Sequence, residues 1–182
     1  MVGAAGAGYL WLRGNERHQV WVATADIPAY RQFSHADLRL AWIRASELPR
    51  DSLAKDAVVL NRYSLSPVGR GKPLSAAEVG PALPDGSLRS RSILSLPASA
   101  ADLGGALIAR GGRITVLLSS TASEEPRSET LDDVFVLDVR PLGKQADAYT
   151  VVLGIPAAGE SALLAAGGTA KTFFVRPATT SP

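Results

Sequence analysis

At 182 residues, with 46% hydrophobic and 20% charged side chains, the chain is long enough to bury one or two small cores without covalent help. Cys is 0, which excludes a disulfide framework and a thiolate metal site, and His is 2, too few for a histidine-rich catalytic metal centre. A formal net charge of +2, with no basic run, excludes the electrostatic footprint of a nucleic-acid binder.

Met1 to Leu12 is apolar, uncharged and closed by Arg13. A bilayer span takes about 20 apolar residues, so this stretch is too short to cross one. No basic residue precedes it, as one would in a secretory signal. Tyr9, Trp11 and Arg13 follow the order of the far edge of a span, aromatic belt first and charge after. Residues 1–19 are set apart as the remnant of a membrane anchor or, alternatively, as a Gly/Ala leader.

Val20 to Tyr30 opens the folded part as a strand-like apolar run. Two similar phrases follow, Phe33 to Leu38 (FSHADL) and Pro73 to Val79 (PLSAAEV). Each places a Ser three residues before an acid, Ser34 with Asp37 and Ser75 with Glu78. That is the spacing of a capping box, so each predicts a short capped helical turn. Between them Leu38 to Trp42 alternates like a strand, and Ser46 to Ala57 reads as loop plus a short helix. Val58 to Tyr63 and Ser64 to Val68 read as strand material, and Val68 to Pro73 as a tight turn. Trp21 and Trp42 are assigned to the core, with an exposed aromatic platform for sugar or partner as the alternative. Pro81, Pro84, Asp85 and Gly86 mark a linker over 81–90.

Beyond it Ser92 to Pro97, Gly112 to Ser119, Val134 to Val139 and Thr150 to Ile155 are predicted strands, rich in β-branched residues. Thr121 to Thr130, with Glu124, Glu125 and Glu129, reads as an exposed loop. Pro156 to Ala166 reads as a short helix stopped by Gly167 and Gly168, and Lys171 to Arg176 closes the domain. Residues 177–182 form a polar tail. The fold class expected is mainly β, two small β domains with only short helices.

The first half resembles a SAF domain, the β-clip module of pilus assembly proteins, flagellar P-ring chaperones, type III antifreeze proteins and sialic acid synthase C-termini. Ile27, Pro28, Ala29, Phe33, Ser34, Asp37 and Leu38 carry the first phrase of that pattern, and Gly71, Pro73, Leu74, Ser75 and Val79 the second. Tyr30 stands where the pattern has Gly; if that position needs φ > 0, Tyr there costs on the order of 1 kcal/mol. The run from Ser92 to Ser120 and the strand carrying Val134, Val136, Leu137 and Val139 resemble the C-terminal domain of the Flp/Tad pilus assembly family CpaB/RcpC. Gly112 departs, standing where that family has Asp after Gly. The resemblance covers Val20 to Arg176 and implies a SAF domain at 20–80 and a C-terminal β domain at 91–176. It further implies a scaffold on the extracytoplasmic, periplasmic side of the inner membrane, anchored there in full-length form. The implied partners are pilus or secretion machinery proteins, the secretin and further copies of the chain among them. A flagellar P-ring chaperone like FlgA and a carbohydrate-binding SAF module are the alternatives.

Little else in the sequence carries chemistry. His18 and His35 are unpaired, and Ser161 lacks the glycines and the strand-turn-helix setting of a nucleophile elbow. Ala166 to Thr172 fails as a phosphate loop because Ala170 precedes the Lys. The acids from Glu124 to Asp133 have the polar neighbours of a solvated loop, not the burial that shifts catalytic carboxylates. No enzyme activity, catalytic residue, metal or cofactor is expected. The partner surface is expected around Tyr30, Arg31 and His35, with the acidic loop from Glu124 to Asp133 as second choice; Tyr and Arg are the types most enriched at interface hot spots.

Overall fold

The computed structural model describes residues 16–100, 103, 108–120, 127–143 and 147–161, without side chains at 117–120 and 127–129. The chain divides between Ala82 and Leu83 into two compact units. Both are β. Among the described residues the helical elements are three single 3-10 turns, Ala45–Glu47, Ala76–Glu78 and Ala157–Gly159, the last running into α-helix at Glu160 and Ser161. The expectations for 1–15, for Lys171 to Arg176 and for the tail lie outside the described residues.

In the first unit β1 (Arg17–Ala23) pairs antiparallel with β2 (Leu38–Arg44), Trp21 opposite Leu40 and Gln19 opposite Trp42. The far edge of β1 is completed by single bridges, Val20 to Ala54 and Val22 to Pro73. β3 (Arg62–Ser64) pairs antiparallel with β4 (Val79–Ala82). The core gathers Ala23, Ile27, Phe33, Leu38, Val59, Val68, Leu74 and Val79, with Trp21 packed against it. Phe33, Leu38, Leu74 and Val79 are apolar positions of the two sequence phrases, and Ile27 belongs to the longer pattern around the first. The repeated wording therefore supplies the apolar centre.

Three expectations for this unit need correction. Regular strand ends at Ala23, and Ile27 regains only an isolated bridge to Val68. Of Val58 to Val68, only Arg62–Ser64 is strand; the rest follows the core by single contacts, and Val58 is 74% exposed. Trp42 is no core residue: it is 63% exposed, because the apolar cluster lies against the Leu38 end of β2 and not beyond it.

The second unit is one four-stranded antiparallel sheet in the order β5-β8-β7-β6, with β5 Arg91–Ser99, β6 Arg113–Ser120, β7 Arg127–Pro141 and β8 Ala148–Pro156. Its core includes Ile114, Val116, Leu131, Val134, Val136, Val151, Leu153 and Ile155. β7 is far longer than the predicted Val134 to Val139. Arg127 to Thr130, expected as loop, pairs with Leu117 to Ser120, while 121–126 lie outside the described residues. The predicted helix at Pro156 to Ala166 begins as the 3-10 turn Ala157–Gly159, and the residues past Ser161 are not described.

Two bulges shape β7. Against β6, Asp132 and Asp133 together face Thr115, and Asp133 takes φ 60, a conformation Asp tolerates better than most side chains. Against β8 a second register shift lies between Val136 and Asp138; it takes Asp138 off the row of Val134 and Val136 and sets it opposite Val152, still 0% exposed. Arg110 reaches Asp138 at 2.7 Å, Arg140 makes a second ion pair, and the Val139 N–H donates to it at 2.9 Å. At Gly112 an added Cβ would stand 2.9 Å from the Ala109 carbonyl oxygen. An Asp at this position would collide with backbone, so this turn is built for Gly.

Candidate functional site

The segment from Pro28 to Asp37 crosses the first unit as a loop pinned at two points. Ser64, 0% exposed, is the first pin: its hydroxyl accepts the Arg31 N–H at 3.2 Å and donates to the Pro28 carbonyl at 2.6 Å. The Ser64 carbonyl accepts the Tyr30 N–H at 2.6 Å, and the Ser64 N–H donates to the Arg31 carbonyl at 3.0 Å. This fourfold grip forces the chain to reverse at Tyr30, which takes φ 62. The position does need the left-handed conformation, so the Gly-to-Tyr departure carries a real backbone cost, on the order of 1 kcal/mol.

Asp37 is the second pin. It is 7% exposed, accepts the Ser34 N–H at 3.0 Å and the Ser34 hydroxyl at 2.5 Å, and pairs with the Arg31 guanidinium at 2.9 Å. Only half of the first capping box forms. Asp is one methylene shorter than Glu, so its carboxylate meets the Ser34 hydroxyl itself, and 35–37 stay a turn. The second box is complete: Ser75 accepts from the Ala77 N–H at 3.1 Å, and Glu78 reaches back to the Ser75 N–H at 3.1 Å. Lys72 adds an ion pair to Glu78 at 2.7 Å. The Ser75 hydroxyl also donates to Asp51, and this bond holds the exposed Asp51 carboxyl below its ordinary value of 3.8. Asp26 ties the two phrases together by accepting the Arg70 N–H at 2.7 Å.

Of the three residues expected at the partner surface, Tyr30 is half-buried at the reversal, Arg31 beside it has a side chain 54% exposed, and His35 is exposed. One loop carries all three. Arg31 and His35 share the Asp37 turn, and Arg31 is also structural, since it neutralises Asp37. The acidic alternative is different in kind. Its described end is committed to the fold: Asp133 is held by Arg91 and Arg113, with the Arg91 guanidinium 4.5 Å over the Phe135 ring, and Asp132 accepts from Thr115 at 2.7 Å. Glu124 and Glu125 lie outside the described residues. No group of three metal-ligating side chains occurs among the described residues.

On β2 Leu40 is 39% and Trp42 63% exposed, so Trp42 follows the alternative of an exposed aromatic and not the core assignment, and Leu40 extends that surface. Alternation alone gave the strand but not which face the core would cover.

The first unit is thus a small β unit gathered around two turns, one with a complete capping box, and the Pro28 to Asp37 loop lies on its surface. Residues 18–80 match the family described as SAF domain. Two solved structures are similar to parts of the chain. Salmonella FlgA in closed form is 12% identical, with a TM-score of 0.33, over 66% of this chain and 46% of that one. Salmonella FlgA in open form is 14% identical, with a TM-score of 0.35, over 82% of this chain and 65% of that one. The chain thus spans about half to two thirds of the length of those structures, and TM-scores of that size do not define a common arrangement. A search of curated proteins finds no match.

Proposed function

We propose that this chain is a non-catalytic assembly factor of the cell envelope, a scaffold of Flp/Tad pilus machinery on the extracytoplasmic side of the inner membrane. The observation that carries the reading is a SAF domain at 18–80 followed by a second, separate β unit. That order is the one the CpaB/RcpC resemblance implies. Its binding loop is Pro28 to Asp37, presenting Tyr30, Arg31 and His35 to a pilus or secretion protein. A rigid loop suits a scaffold, because little ordering entropy is spent when the partner docks. Among the described residues no helix is long and apolar enough to cross a membrane.

The SAF match fits a flagellar P-ring chaperone equally. Exposed Trp42 favours the third reading, a carbohydrate-binding module, since an aromatic face is what a sugar ring stacks on. Deletion in the native host separates the three. The pilus reading requires loss of surface pili with flagella intact. Complementation with the Tyr30→Gly/Arg31→Ala variant then fails, while Glu124→Ala/Glu125→Ala restores pili. Loss of flagellar rings with pili intact contradicts the pilus assignment, and so does a cell-wall glycan interaction abolished by Trp42→Ala.

A further inference from the structure

β2 is an edge strand. The Thr24 N–H donates to the Asp37 carbonyl and the Ala45 N–H to the Glu16 carbonyl, at 2.9 and 2.8 Å. Antiparallel ladders alternate, so between those two anchors Arg39, Ala41 and Ile43 turn their backbone groups toward β1. Leu38, Leu40, Trp42 and Arg44 turn theirs outward, and among the described residues no backbone partner meets them. Of the usual protections of an edge the strand has only charge, from Arg39 and Arg44; it has no Pro, no bulge and no covering segment among the described residues.

The side chains on this edge carry a second message. Leu40 and Trp42 share one face with Arg44, and Arg44 lies directly opposite Arg17. This is a pair of the close, non-hydrogen-bonded kind, with Cα atoms about 4.5 Å apart, and like charges so placed repel. Glu47 relieves Arg44 only weakly, at 3.9 Å with both side chains more than half exposed. β2 itself contains no acid.

We infer that the outer edge of β2 is a docking site for an extended acidic-apolar segment of another protein, which adds to the sheet as an antiparallel third strand. Its acidic side chain lies over Arg44 and Arg17, and its next two alternate side chains, both apolar, cover Trp42 and Leu40. Main-chain bonds to Leu40, Trp42 and Arg44 supply affinity, and the alternate side chains supply selectivity. A second copy is the poorer occupant, because β2 holds no acid to set against Arg17 and Arg44, and antiparallel self-pairing puts Arg44 opposite Leu38. The site is independent of the Pro28 to Asp37 loop and of the pilus assignment.

The test uses the full chain, ¹⁵N-labelled, and an acetylated peptide reading Glu-Thr-Val-Thr-Val-Thr. Addition of the peptide is expected to slow amide exchange at Leu40 and Trp42 and to leave Ala41 unchanged. N-methylation of both valines, whose amides face β2, abolishes binding, whereas N-methylation of the threonines leaves it. Trp42→Ser weakens binding about tenfold or more, as loss of a buried aromatic anchor does. Arg17→Glu/Arg44→Glu, folded by circular dichroism, switches preference to the peptide carrying Lys in place of Glu. Equal binding by both N-methylated peptides, or no change of preference in the double variant, overturns the inference. It is also overturned if the Leu40 and Trp42 amides are already protected in the free chain, since the edge is then covered by the chain itself or by a second copy.

Discussion

Tyr30 shows how a single residue can trade stability for surface. Its φ of 62 is imposed by the bonds to Ser64, and Gly would meet them without strain. Tyr30→Gly is therefore expected to raise stability by about 1 kcal/mol, less the extra chain entropy of Gly, measured by urea unfolding. Arg31→Ala acts the other way, by roughly 1–2 kcal/mol, since nearly buried Asp37 loses its cation. The double variant used in the cell thus ends close to the parent in stability. Gly80 is the opposite case, a residue fixed by steric contact. A Cβ there would stand 2.6 Å from the ring of Tyr63, which is 0% exposed and has nowhere to go. Gly80→Ala should cost about 1–3 kcal/mol, visible as a lower denaturation midpoint. Nothing in the sequence distinguished Gly80 from its neighbours, because the constraint comes from a ring seventeen positions away. The strain at Tyr30 was legible, since one side chain broke a pattern of known turn chemistry.

At the scale of elements, the two capping phrases predicted the right place for both turns, but a helix formed only where the acid was long enough. Glu78 closes its box, while Asp37 captures Ser34 instead. The complete box is also linked to Asp51. Its pKa is lower folded than unfolded, so this contribution to stability is present above about 3.8 and fades as pH falls through the lower folded value. Asp51→Asn should lower the melting temperature of the first unit at neutral pH and flatten its fall below pH ~4, where the parent loses the same contribution; thermal melts at stepped pH read this directly. β7 was half legible. Its β-branched centre announced a strand, but Glu129 and Thr130 looked like loop because their pairing with Leu118 and Leu117 is non-local. The bulge beside buried Asp138 left no mark in local pattern, and of the carboxylate's two cations Arg110 comes from outside the strand. Arg110→Ala/Arg140→Ala leaves a buried carboxylate short of charge and should destabilise the second unit by about 3 kcal/mol. Adding Asp138→Asn should recover part of that loss by removing the charge, which separates electrostatics from lost packing in a single series of melts.

At the scale of the molecule, two small β units were legible from short apolar runs punctuated by Gly and Pro. The absence of any long amphipathic repeat pointed the same way. The apolar positions of the repeated phrases named half of the first core in advance. Trp42 was misplaced because large aromatics usually fill small cores. Here the cluster closes over Leu38, and β2 carries its Trp outward. The proposed docking of the Pro28 to Asp37 loop onto envelope assembly machinery is open to direct test. In-cell photocrosslinking tests it most directly, with a photoreactive side chain placed at His35 or, separately, at Glu124, in the native host while pili are assembling. His35 is the right position because it is exposed on the loop and carries no fold-holding bond that the capping turn needs. A covalent adduct from His35 to a pilus or secretion protein is expected, absent when Tyr30→Gly/Arg31→Ala is combined with the probe. An adduct from Glu124 with none from His35, or an adduct from His35 to a flagellar ring protein, would contradict it.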